Sequence, residues 1–127
     1  MRKKNFAIVF FTLTAAFISA AFISSPPQSQ IEMPENIEEI VKKSCFGCHN
    51  TDSQNEDAKE ALDFKTMDEL GKVKKITSLR EIAETVEKGE MPPKRFLENY
   101  PDRKLTKDEA GSLVDWAKKE SKKLIGN

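Results

Sequence analysis

Histidine occurs once in this chain, cysteine twice, and tryptophan and tyrosine once each among 127 residues. A single histidine excludes any site that draws two imidazoles from this chain. The 21 basic and 21 acidic residues leave no net charge. Without a basic excess there is no face suited to the phosphate backbone, so a nucleic-acid partner is not expected. Strand signals are missing as well. No stretch gives a convincing period-two alternation, and no internal repeat appears, so the periodic segments that remain are helical.

Long apolar runs are absent after the N-terminus. Met1-Arg2-Lys3-Lys4-Asn5 is a basic start, and an apolar run follows from Phe6 to Ile23. Positive n-region, apolar h-region and then small residues form the pattern of a secretory signal, with a cleavage site after Ala21. The run also approaches the lower length limit of a spanning helix, so residues 1–21 read as a signal peptide or an uncleaved membrane anchor through residues 6–23. On either reading the basic start stays on the cytoplasmic side and the rest is exported. The expected location is the periplasm or the outer face of the cytoplasmic membrane. Residues 22–127 then carry 18 basic and 21 acidic side chains, a net of −3. Residues 22–33 are polar and proline-bearing and read as a flexible tether. One domain, residues 34–127, remains.

Both cysteines and the only histidine fall in Cys45-Phe46-Gly47-Cys48-His49. A C-x-x-C-H run is the attachment signature of c-type haem. On one helical turn the two thiols can each form a thioether to a haem vinyl group, and His49 follows as a proximal ligand to iron. Other readings are weaker. A disulfide across C-x-x-C closes a very small loop. A thioredoxin-like dithiol needs a βαβ setting, and zinc lacks an evident fourth Cys or His ligand.

Pro34 suits a helix start, and Ile37, Ile40 and Val41 lie on one face that leads into Ser44-Cys45. Residues 50–77 read poorly: a polar loop, a turn over 57–62, and another over 66–70 stopped by Gly71. Ser78-Leu79-Arg80-Glu81 reads as a capping box opening a helix with Ile82, Ala83 and Val86 inward and Gly89 at its end. Thr106-Lys107-Asp108-Glu109 reads as a second box, with a last helix from Lys107 to Leu124 and Leu113, Val114, Trp116 and Ala117 inward. The expected fold is all-α: a small helical domain wrapped around one covalent haem that completes a thin core.

With no second histidine, the other axial ligand must be sought among Met33, Met67 and Met91. A lone methionine is most often core filler, and that reading is adopted for Met33 and Met67. Met91 stands at a helix end braced by Pro92 and Pro93, where little entropy is lost in holding a weak thioether ligand. Met91 is therefore the expected partner of His49, and a His/Met pair favours electron transfer. Trp116 is expected in the core, and Phe64 and Phe96 around the haem. Lys94, Arg95, Tyr100 and Arg103 read as exposed loop side chains, with propionate pairing the lesser alternative.

Cys45–Cys48–His49, Leu79–Lys88 with Gly89-Glu90-Met91-Pro92, and Leu105-Thr106 with Asp115-Trp116-Ala117 together resemble the small haem-binding domain family of exported bacterial proteins. More broadly the chain is similar to class I cytochrome c. The resemblance implies one haem c held through Cys45 and Cys48, with His49 proximal and Met91 distal. One departure stands out. Class I cytochromes usually place a proline soon after the motif, and its carbonyl orients the histidine; residues 50–77 contain none. The expected function is a monohaem electron carrier exchanging electrons with redox partner proteins, and not an enzyme. The alternative is a haem-based sensor or gas-binding module whose distal site is open or displaceable. A peroxidase is the weakest reading, because the sole histidine is already used.

Overall fold

The computed structural model describes residues 30–126. The signal or anchor segment and most of the expected tether lie outside those residues. Among the described residues the fold has five α-helices: α1 (Glu35–Ser44), α2 (Glu56–Ala61), α3 (Lys72–Glu87), α4 (Lys94–Asn99) and α5 (Lys107–Gly126). Two short 3-10 turns, Met67–Glu69 and Pro101–Arg103, lie between them, and no strand occurs among the described residues. No described helix is long and apolar enough to cross a membrane.

The core is built by the long helices. Leu79, Ile82, Ala83 and Val86 of α3 face Leu113, Val114, Ala117 and Leu124 of α5, and these two helices make the most extensive pairing in the fold. Ile37, Ile40 and Val41 of α1 close the layer against α5, with Met67 filling the remaining space. Leu79 and Leu113 are completely buried, and each such side chain contributes about 1.5–3 kcal/mol relative to exposure. Met67 and the half-buried Met33 therefore pack as filler.

Local chemistry explains the helix ends. Thr106 and Glu109 form the expected reciprocal box: the Thr106 N–H donates to Glu109 Oε2 at 2.8 Å, and the Glu109 N–H to Thr106 Oγ1 at 3.2 Å. Helix α3 ends in a paired reversal, with the Glu90 N–H on the Thr85 carbonyl at 2.9 Å and the Gly89 N–H on the Val86 carbonyl at 3.0 Å. That closure puts Gly89 at φ +67, a left-handed conformation that glycine adopts without strain.

Two expectations are corrected. Helix α3 starts at Lys72, not at Ser78, and its N-cap is Gly71, so this glycine opens a helix instead of stopping one. The reason is packing: the buried Lys75 and half-buried Ile76 lie one turn ahead of Leu79 on the same face and extend the helix backwards. Ser78 and Glu81 consequently sit mid-helix and border the cavity described below. Residues 30–33, expected as the end of the tether, are docked on the domain. Ile31 and Met33 pack against the core, the Trp116 indole N–H donates to the Glu32 carbonyl at 2.8 Å, and the Glu32 N–H donates to Glu120 Oε2 at 3.1 Å.

Helices α2 and α4 contain no buried residue, although both contribute side chains to the cavity wall. They have little but the cavity's contents to pack on. Without haem, amide hydrogen exchange should be fast over 55–66 and 93–103 and slow in the centres of α3 and α5, and haem should protect all four segments. Equal protection of α2 and α3 in the haem-free chain would refute this. Gly89→Ala should cost about 1–2 kcal/mol in denaturant unfolding, the penalty of a Cβ in the left-handed region.

Candidate functional site

The C-x-x-C-H run begins where α1 ends. The Cys45 and Phe46 N–H groups both close on the Val41 carbonyl, at 2.9 and 2.8 Å. The Cys45 carbonyl then accepts from the N–H groups of Cys48 and His49, each at 3.1 Å. This turn places positions i, i+3 and i+4 on one face, which is the physical content of the spacing. Both thiols are free and part-buried. Burial pushes the Cys45 thiol up to about 11, and the neighbouring Cys48 adds to the effect.

The end of α1 is fixed from outside. Arg103 Nη1 donates to the Lys43 carbonyl at 3.0 Å, and Lys43 Nζ reaches both carboxylate oxygens of Glu109 at 2.5 Å. The Lys43 ammonium, with the Thr106 N–H second, holds the Glu109 carboxyl below its ordinary range. One capping box on α5 thus also anchors the cysteine-bearing helix. Arg103 is engaged here as a clamp on α1.

Helix α2 orients His49. Its ring Nδ1 lies 2.8 Å from the Ala58 carbonyl oxygen and 3.1 Å from that of Leu62. Carbonyl oxygens only accept, so Nδ1 carries the proton and Nε2 keeps a free lone pair. A metal-ligating histidine characteristically donates its other N–H in this way. These two carbonyls do what the missing proline would have done. Phe64 stands edge-on to the imidazole, with centroids 6.5 Å apart, and its N–H donates to the His49 carbonyl at 3.2 Å.

Cys45, Cys48, His49 and Met91 all line one cavity of about 450 Å³, within the range of small-molecule and cofactor sites. Leu62 and Phe64 contribute to its wall from the segment after α2, Ile82 and Val86 from α3, Pro92, Pro93 and Phe96 from the α4 region, and Leu113 from α5. The polar wall residues are few: Ser44, Asn55, Asp57, Ser78, Glu81 and Thr85. Met91 is 37% exposed, so it stands where the cavity meets solvent. Ser44, also in the wall, keeps a buried hydroxyl with no hydrogen-bond partner among the described residues.

The structure thus brings all four expected site residues together, with Phe64 and Phe96 beside them. Trp116 lies in the core, outside the cavity wall. Lys94, Arg95 and Tyr100 are exposed, and the Tyr100 ring rests on Phe96 at 4.9 Å. Sequence reasoning missed Ala58 and Leu62, which act through backbone carbonyls and so leave no side-chain signature. The missing proline was the only signal that some carbonyl had to be found.

This all-helical domain with an apolar cavity and a pre-oriented imidazole is a haem-binding domain. The chain belongs to the haem-binding domain family, whose model matches residues 52–119. The match begins just after His49 and covers α2 to most of α5, the part that builds most of the cavity. No curated protein and no solved structure matches the chain. The donor set fits haem: one imidazole with a reserved nitrogen, one thioether, two thiols on one turn and a largely apolar wall.

In the folded haem-free protein, iodoacetamide should label Cys45 about a hundredfold more slowly at neutral pH than in the denatured chain, since two pKa units separate them. Raising the pH towards 11 supplies thiolate and should close the gap. Equal labelling rates in folded and denatured protein at pH 7.5 would contradict the burial argument.

Proposed function

We propose that this protein is a monohaem electron carrier of the cell envelope. Cys45 and Cys48 would hold the haem through two thioethers, and His49 and Met91 would be its axial ligands. The observation that carries this reading is the commitment of His49 Nδ1 to Ala58 and Leu62, which reserves Nε2 inside a cavity that Cys45, Cys48 and Met91 also line. Bound haem supplies reversible one-electron chemistry, and a methionine ligand raises its potential.

The chain's own residues have distinct parts in this. The turn over 45–49 presents thiols and imidazole together. Helix α2 keeps the imidazole in a single tautomer. The reversal at Gly89 and the two prolines hold Met91 at the cavity, and Leu62, Phe64, Ile82, Val86 and Phe96 limit water around the iron site. A dry surrounding lowers the reorganisation that accompanies a change of charge. No second imidazole exists for acid–base work on bound oxygen or peroxide, which supports a carrier over an enzyme. The basic start and apolar run support export, and redox proteins are the expected partners.

One observation favours the alternative of a haem-based sensor: the partial exposure of Met91 is what a displaceable ligand would show. Spectra of the holo-protein separate the two. Ferric protein should show a sulfur-to-iron charge-transfer band that Met91→Ala abolishes, with a fall in midpoint potential, and the wild type should resist carbon monoxide. Ready carbon monoxide binding by the wild type would move the assignment to the sensor. Haem released into acidified organic solvent would refute the thioethers.

A further inference from the structure

The geometry points to Asn55 as a positioning residue for the iron-ligating histidine, acting through α2; this deepens the reading above and rests on His49 binding iron. The relevant bonds form a short chain. Asn55 Oδ1 accepts from the Ala58 N–H at 3.1 Å as the N-cap of α2. The carbonyl of that same Ala58 accepts from His49 Nδ1 at 2.8 Å, and it also accepts the Leu62 N–H at 3.0 Å that closes the helix. Leu62 then offers the second carbonyl to the imidazole. One residue, Ala58, is thus tied to the cap through its N–H and to the ligand through its carbonyl.

Little else holds this helix. It spans six residues, none of them buried, and helices this short are not stable by themselves in water. Its position depends on a polar loop. The Asn55 N–H donates to Ser53 Oγ at 3.0 Å, the Ser53 N–H to the Asn50 carbonyl at 3.0 Å, and Asn50 Nδ2 to the Phe46 carbonyl inside the motif. Asn50 and Ser53 are buried. The loop therefore starts at the cysteine turn, passes through the cap, and returns to the histidine as two carbonyls, one within α2 and one at its C-cap. Accepting the Nδ1 proton there increases electron donation by the imidazole, which favours the oxidised iron. Loosening the cap should weaken both the orientation and the donation.

The test uses holo-protein labelled with ¹⁵N. Asn55→Ala should make exchange of the His49 ring N–H in the reduced protein about fivefold to tenfold faster, the opening expected from loss of a cap, and should raise the midpoint potential. Asn55→Asp, which retains a capping oxygen, should restore both towards wild type. Ser53→Ala should move both in the direction of Asn55→Ala, and it serves if that variant does not fold. Lys118→Gln removes an exposed pair with Glu87, away from the cavity wall, and should change neither. Unchanged ring exchange and potential in Asn55→Ala and Ser53→Ala overturn the inference, as does an equal effect of Lys118→Gln. If the wild-type iron carries no histidine, both this inference and the reading beneath it fall; a histidine-ligated wild type with silent Asn55 and Ser53 variants removes this inference alone.

Discussion

The imidazole N–H of His49, shared between the carbonyls of Ala58 and Leu62, is the interaction on which the site depends. It settles the tautomer, reserves Nε2, and ties a surface helix without buried residues to the cysteine turn. An imidazole lacking this bond would be free to rotate, and neither nitrogen would be reserved. The orientation of His49 is therefore set by backbone groups of α2 and its C-cap, while polar side chains maintain the helix that presents them.

The domain divides its labour between packing and polar closure. Helices α1, α3 and α5 bury the apolar residues that stabilise the fold, and each contributes to the cavity wall. The segments around α2 and α4 supply the remaining walls without a core of their own. Glu109 joins two of the packing helices: it completes the cap of α5 and holds Lys43 of α1, two residues before Cys45. A ligand that binds the folded form adds to its stability, so haem in this cavity would stabilise the segments around α2 and α4 that line it.

Much of this was legible beforehand. The C-x-x-C-H run has a spacing that only one turn satisfies, and Met91 follows a glycine reversal and precedes two prolines. The faces of α1 and α5 follow from strict helical spacing, and the Thr106–Glu109 box formed as its pattern implies. The Ser78–Glu81 pattern misled, because a box motif in sequence cannot show that an upstream turn already packs. Residues 50–77 resisted reading because their order comes from loop hydrogen bonds among Asn50, Ser53, Asn55 and the backbone, which have no periodicity.

By itself the sequence determined the class: all-helical, one C-x-x-C-H run, one available imidazole and one well-braced thioether. Those conclusions rest on local rules of spacing, capping and composition, which neighbouring residues are sufficient to enforce. The tertiary structure alone decided which carbonyls hold His49, that Arg103 clamps α1, and that Ile31 to Met33 dock on the domain. Each of these joins groups distant in the chain or uses a backbone atom common to every residue, so no residue type announces it in advance.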